Sequence, residues 1–226
     1  RFERAFPEIA DELPDRQLIY APLEERIAED YKAAMYAAAN FAWANRQAMT
    51  QGVREVFDDL FDVTDVELVY DVCHNIAKEE RHHVNGSEET VLVHRKGATR
   101  AFPAGRPEVP EAYRAVGQPV FIPGSMGSSS YVLCGGEQSL DRTFGSTAHG
   151  AGRVMSRTQA KAEYSANELQ RQLHEQGIYV RARSGGTLVE EAPGAYKDVD
   201  EVIRVSDALG IGTKVARTYP IANIKG

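Results

Sequence analysis

Partway along the chain the spacing of apolar residues changes, and that change limits the architecture more than composition does. Pro22 opens a stretch in which Ile27, Tyr31, Ala34, Met35, Ala38, Phe41, Ala42 and Asn45 recur every three or four residues, one face of a helix. Gly52 is expected to interrupt it, with residues 53–61 adding a further turn or two. Beyond this the runs become short. Residues 66–72, 90–94, 120–122 and 131–134 are rich in β-branched and aromatic side chains between glycine and polar turns, and read as strands. Ser156 is expected to cap a helix running through Ala160, Leu169 and Leu173 to a stop at Gly177. Residues 178–183 read as another strand, Asp198 as the cap of a short helix ending at Gly210, and residues 214–219 as a last strand. Without a regular strand–helix–strand rhythm, the expectation is an α+β fold rather than a doubly wound sheet. No internal repeat or low-complexity linker divides residues 1–226, so a single domain, or part of one, is expected.

Composition narrows the class of function. With 42% hydrophobic and 26% charged residues, the 226-residue chain has the balance of a folded globular protein and the length to bury a core. No apolar run approaches the roughly 20 residues needed to cross a bilayer. The most apolar stretch, residues 33–44, is mostly alanine and is broken by Asn40. The two cysteines, Cys73 and Cys134, make neither a disulfide framework nor a paired zinc motif, which suits a reducing cytoplasm. A net charge of −7 argues against coating nucleic acid with the whole surface. Basic islands at residues 94–100 and 153–157 leave room for a local groove. The chain opens on Arg1 rather than Met, so further motifs are expected upstream.

The segment Gly145-Ser146-Thr147-Ala148-His149-Gly150-Ala151-Gly152-Arg153 carries the most chemistry. Glycines around a histidine let backbone amides approach a ligand, and the helix expected next would draw an anion to its N-terminus. A neutral imidazole beside a phosphate can act as a nucleophile at phosphorus or as an acid–base group. A glycine turn bearing a surface histidine fits the local sequence equally well. A second glycine–serine segment, Pro123-Gly124-Ser125-Met126-Gly127-Ser128-Ser129-Ser130, lies between two expected strands and suits phosphate, sugar or base contacts; alone it is a hairpin loop.

Other side chains are weighed one at a time. His74, in Asp71-Val72-Cys73-His74-Asn75, stands where a metal ligand could sit, although a lone histidine is more often structural. Cys73 is read as a packed thiol, His82 and His83 as solvated loop residues, and His174 as exposed on a helix. Lys96, Arg100, Arg153 and Arg157 are candidates for phosphate contacts, against the plainer reading of solvated charge. Tyr196 offers a ring for stacking, or a core tyrosine. Lys225 ends an apolar tail that starts at Pro220 and could be tucked in.

Taken in order, these segments resemble the RtcB family of RNA-splicing ligases. The resemblance runs through Asn40-Phe41-Ala42-Trp43-Ala44-Asn45-Arg46 and residues 71–78, 93–100, 123–131, 146–157, 192–198 and 219–226. His-Gly-Ala-Gly-Arg followed by Ser-Arg, with Pro-Gly-Ser-Met-Gly upstream and a terminal Ile-Lys-Gly, is far more specific than any one piece. The resemblance implies the C-terminal part of an RtcB-type catalytic fold, mixed sheets with flanking helices. It also implies a GTP- and Mn2+-dependent ligase joining an RNA 3′-phosphate, or a 2′,3′-cyclic phosphate after hydrolysis, to a 5′-hydroxyl. His149 matches the guanylated histidine, His74 a manganese ligand and Asn75 a nucleotide contact. Pro123, Gly124, Ser125, Met126, Ser130, Gly150, Ala151 and Gly152 match the loops around the guanylate, and Tyr196 and Lys225 the guanine pocket. Lys96 and Arg157 match positions that hold RNA phosphates, with Arg153 close by. Partners implied are RNA such as tRNA halves, the N-terminal half of the enzyme and the activator archease.

The chain departs from the family in one large respect. The other metal-ligand motifs, an Asp-x-Gly-x-Gly-x-x-Cys segment, a Gly-Asn-His-Phe segment and a His-x-Gly-Ser-Arg-Gly segment, do not occur in it. Cys73 is not the family cysteine. The chain alone is therefore expected to bind manganese poorly and to ligate little. A non-catalytic nucleotide- or RNA-binding fragment is the runner-up, and a phosphohydrolase acting on cyclic phosphates through His149 is a third reading.

Overall fold

The computed structural model of the protein describes residues 1–61, 63 and 65–225, with residues 224 and 225 described by their backbone alone. It has two compact units, Arg1–Val69 and Tyr70–Gly226. Among the described residues no helix is long and apolar enough to cross a membrane.

The first unit is helical. Two short helices, α1 (Phe2–Ala5) and α2 (Pro7–Glu12), and a 3-10 turn at Arg16–Leu18 precede α3 (Arg26–Phe61). Helix α3 has 36 residues and is roughly 54 Å long at the standard rise. It does not stop at Gly52. A Cβ there would meet nothing within 4 Å, and the penalty of about 1 kcal/mol for one glycine is small against the continuous turns on either side. The side-chain amide of Gln51 also bonds Glu55 one turn on, at 3.2 Å. The Phe2 ring meets Tyr31 edge-on at 5.4 Å and caps the start of the apolar face. Further along, Phe41, Met49, Val53, Val56 and Leu60 are exposed.

The second unit is α+β, as expected. It opens with a hairpin of β1 (Asn75–Val84) and β2 (Ser87–Lys96), ten residues each and antiparallel from Asn75↔Lys96 to Val84↔Ser87. The turn is Asn85-Gly86, with φ of 51° and 89°, a pair suited to left-handed backbone. Strand β3 (Ala98–Arg100) follows, then α4 (Glu111–Arg114), β4 (Pro119–Ile122), β5 (Ser130–Gly135), α5 (Ser139–Thr143) and β6 (Ser146–Ala148). The rest is α6 (Arg157–Glu163), α7 (Ala166–Glu175), β7 (Tyr179–Ala182), α8 (Gly185–Glu190), α9 (Val199–Ala208), β8 (Gly212–Thr218) and β9 (Ala222–Lys225). The strands form small sheets: β1–β2, β3–β6, β4–β5–β8 and the parallel pair β7–β9.

Two apolar clusters hold this unit. Val120, Ile122, Tyr131 and Leu133 on the inner face of β4–β5 pack with Val199 and Ile203 of α9 and with Ala101 and Ala151. Each large side chain buried this fully contributes about 2 kcal/mol. Met126, Leu169, Leu173, Ile178, Val180, Leu188 and Ala192 form the second cluster.

Four further expectations change. Residues 66–72 form no strand although their composition suits one; they run from one unit into the next, and composition supplies no partner to pair with. The helix expected from Ser156 to Gly177 is two. Ser156 Oγ accepts from the Gln159 amide at 3.1 Å and caps α6, but Tyr164 is extended (φ −109°, ψ 139°), turning its ring into the second cluster before α7 starts. His82 is not in a loop: it is a buried residue of β1, while His83 beside it is exposed. The last strand is β9, not β8, because parallel pairing with β7 gives the tail a partner.

Candidate active site

His149 follows β6 directly, and its position is set by pairing on one side. Ala98↔Ala148 closes the β3–β6 ladder, and the His149 amide donates to the Gly97 carbonyl at 3.4 Å. Gly145, ahead of β6, has φ of 62°, and a Cβ there would lie 2.3 Å from the Phe102 ring, so glycine is required. His74 arrives from the other side as the residue before β1. The two rings stack with centroids 4.3 Å apart and planes at 17°. Both are half-buried. Burial, and the neighbouring His74 imidazole, lower the pKa of His149, which favours its neutral, nucleophilic form near pH 7.

Around this pair the tertiary structure collects segments far apart in sequence. Asn75 and Lys96 are cross-strand partners at the base of the hairpin, one residue from His74 and Gly97, and both are exposed. The expected loop between β4 and β5 lies against the histidine segment: a Cβ on Gly150 would sit 3.7 Å from the Pro123 carbonyl. That loop is tied internally, with the Gly124 amide donating to Ser130 Oγ at 3.2 Å and the Ser125 amide to Ser128 Oγ at 2.7 Å. Met126 is different. Its side chain is fully buried in the second apolar cluster, so only its backbone is placed to meet a ligand, and its carbonyl accepts from Asn223 Nδ2 at 3.0 Å. Ala151 likewise packs into the first cluster, leaving Gly150 and Gly152 as the accessible part of the histidine turn. Gly152 has φ of 76°, a left-handed conformation that glycine adopts without strain.

Tyr196 is attached to the same turn. The Lys197 amide donates to the Gly152 carbonyl at 2.9 Å, and Arg153 and Tyr196 form a β-bridge. The Tyr196 hydroxyl donates to Glu191 and accepts from Arg153 Nη1 at 2.9 Å. Burial and the Glu191 carboxylate raise its pKa. Arg153 further donates to the Met155 carbonyl at 3.0 Å and the Glu190 carbonyl at 2.6 Å. Its guanidinium is thus engaged inside the protein. Arg157 is more exposed, with carboxylates of Glu190 and Glu191 at 3.6 and 4.0 Å. Arg100 bonds Gln118 Oε1 at 2.9 Å and lies over the Phe102 ring. Lys225 contributes backbone to β9, next to Ala182 of β7; its side chain lies outside the described residues.

The sequence reading missed a buried ionic group behind this site, formed by Glu80, His82 and Arg95. Its signal was present. The Asn85-Gly86 turn sets the hairpin register, and strict alternation then puts Ile76, Glu80 and His82 of β1 on one face with Arg95 of β2.

Among the described residues, no group of three or more His, Cys, Asp or Glu side chains converges as a metal site. His74 offers one imidazole. The described residues do not by themselves fit a manganese ion.

Comparison with known proteins identifies the family. The family model described as tRNA-splicing ligase RtcB matches residues 1–226. The tRNA-splicing ligase RtcB of Thermococcus kodakarensis is 55% identical over 217 residues, 94% of this chain and 45% of that protein. The Pyrococcus abyssi protein of the same name is 52% identical over 99% of this chain and 25% of its own length, and that of Archaeoglobus fulgidus 51% over 99% and 47%. The chain therefore spans less than half the length of these relatives. With its whole length matched by the family model and half its residues shared with such relatives, the chain belongs to the RtcB family of tRNA-splicing ligases.

Proposed function

We propose that this chain carries the nucleotide-accepting histidine of a GTP-dependent RNA ligase that joins a 3′-phosphate, or a 2′,3′-cyclic phosphate, to a 5′-hydroxyl. The observation that carries this reading is the His149 ring, half-buried and stacked on His74 at 4.3 Å beside two glycine loops. A ring nitrogen of His149 attacks the α-phosphorus of GTP. A P–N bond forms, the P–O bond to the β-phosphate breaks, and pyrophosphate leaves. An oxygen of the RNA 3′-phosphate then takes the GMP, breaking the P–N bond and giving an RNA-ppG end; a cyclic phosphate is first opened by water. The 5′-hydroxyl attacks the RNA phosphorus and GMP departs. Gly150, Gly152 and the 123–130 loop, with Asn75 and Ser130, hold the nucleotide, while Tyr196 and Lys225 border the guanine. Lys96 and Arg157 meet RNA phosphates.

Manganese belongs to this reading through the family resemblance, with His74 as one ligand. The remaining ligands are assigned to the upstream half of the enzyme. The tRNA-splicing name of the relatives supports tRNA halves as substrates. Archease as an activator belongs to this reading through the family resemblance alone, and a cytoplasmic setting is in keeping with two unpaired cysteines.

The test is incubation with α-labelled GTP and manganese, with and without the upstream half of a relative such as the A. fulgidus protein, followed by denaturing electrophoresis. Label on this chain that disappears in His149→Ala is the expected result. Label absent under both conditions leaves a nucleotide- or RNA-binding fragment. Turnover of cyclic phosphate without protein label points to a hydrolase instead.

A further inference from the structure

We propose that Arg95, locked to Glu80, is a positioning residue for His149, clamping the strand that carries the ring to the hairpin that carries His74. The proposal rests on the reading of His149 as the nucleophile, and extends it to residues that no part of that reading assigns.

All three members of the group are buried, with side chains 1–4% exposed. Arg95 Nη1 and Nη2 grip the Glu80 carboxylate at 2.7 and 2.8 Å, and His82 Nε2 donates to the same carboxylate at 3.0 Å. Burial pushes the Glu80 carboxyl up, but the bonds from Arg95 and His82 outweigh it and hold it ionised, below its ordinary range. A buried pair of this kind gives little net stability over a packed apolar pair, so its presence calls for another account.

The remaining donors of Arg95 supply one. Nε donates to Ser146 Oγ at 2.9 Å, and Nη2 also donates to the Phe144 carbonyl at 2.9 Å. These residues lead into His149: Ser146 is the first residue of β6, three before the histidine. Phe144 is itself in a left-handed conformation, φ 50°, which a non-glycine residue keeps only where its surroundings over-determine it. The His82 ring meets Phe144 edge-on at 5.1 Å, adding a second hold on that residue. The hairpin is thus a common frame for both rings. It carries His74 by chain continuity at Asn75, and it carries His149 through Arg95 and through Gly97, where β2 ends. The guanidinium spreads its donors over three nitrogens in a planar fork and so meets a carboxylate, a hydroxyl and a carbonyl in different directions, which the single ammonium nitrogen of lysine does not.

The test uses the whole chain. Arg95→Lys and the apolar double variant Glu80→Leu/Arg95→Met are prepared, with melting by circular dichroism to verify folding and nuclear Overhauser contacts between the His74 and His149 rings as the positional readout. The expected result is a folded double variant in which the ring–ring contact is lost. With the upstream half added, the rate of labelling by GTP should fall on the order of 10²-fold, with half-saturating GTP unchanged. A folded variant that keeps the ring contact at full intensity overturns the proposal. Should the double variant not fold, Ser146→Ala removes one acceptor of the clamp alone: a weakened contact supports the proposal and an undiminished one overturns it. If the wild-type chain never takes label, the nucleophile reading fails while the ring contact still decides the clamp.

Discussion

Arg153 lies over the ring of Tyr196, its guanidinium carbon 4.8 Å from the centroid, and donates to the hydroxyl of the same residue. One residue thereby ties the turn after His149 to the 190–196 segment. Arg153→Ala should lower stability by about 1–3 kcal/mol, because the Tyr196 hydroxyl and the Glu190 and Met155 carbonyls all lose a donor. Urea denaturation measures this. RNA binding should separate the basic residues: Lys96→Ala and Arg157→Ala should each lower the slope of log K against log salt by about 1, and Arg153→Gln should not. A folded Arg153→Gln protein with a reduced salt slope would place that side chain on RNA instead.

Met126→Ala removes a fully buried side chain from between Leu169, Leu173 and Val180. A loss of about 2–5 kcal/mol is expected, with the 123–130 loop loosened from beneath. Hydrogen exchange of the loop amides should speed up along with the drop in denaturation midpoint. A midpoint unchanged from the parent would mean that the loop does not rest on this anchor.

Glu80→Gln tests the buried charge through pH. The folded state holds the Glu80 carboxyl below its ordinary value of 4.5, so as pH falls the unfolded chain takes the proton first. The stability given by the carboxylate is present above about pH 4.5 and is lost as pH falls through the folded value. The variant should be less stable by about 3–5 kcal/mol at pH 7, since Arg95 is left buried without its counter-charge. Its stability should also vary less steeply than the parent's as pH falls below about 5. Denaturant midpoints taken across that range give both quantities; parallel curves would contradict the assignment.

Gly150 and Gly145 should respond in opposite ways. A Cβ on Gly150 makes ordinary contact, 3.7 Å from the Pro123 carbonyl, so Gly150→Ala should change stability by only about 0.5 kcal/mol. It does, however, fill space between the two glycine loops, and labelling by GTP should weaken. Gly145→Ala forces a Cβ to within 2.3 Å of the Phe102 ring at a positive φ, and should destabilise by at least about 1–2 kcal/mol from the backbone alone. Thermal melting of the pair distinguishes a loop shaped for a ligand from one shaped for folding.

Much of this was legible in the residues, in proportion to how local each feature is. Asp198 caps α9 through a bond to the Asp200 amide, Ser156 caps α6, and β4 and β5 fall where short β-branched runs lie between turns. Each of these depends on neighbours a few positions away. His149 could be singled out for the same reason, since its glycines flank it directly. Residues 66–72 show the limit: their composition suits a strand, but a strand exists only with a partner.

The sequence alone therefore determined the α+β character, the capped helices and the two glycine loops, because backbone preference and short-range periodicity are written residue by residue. Only the tertiary structure decided that His74 would stack on His149, that Met126 would be core rather than pocket, and that Glu80, His82 and Arg95 would meet in the dark behind the site. Those outcomes depend on strand register and on contacts between residues tens of positions apart, where a shift of one position turns every side chain to the opposite face.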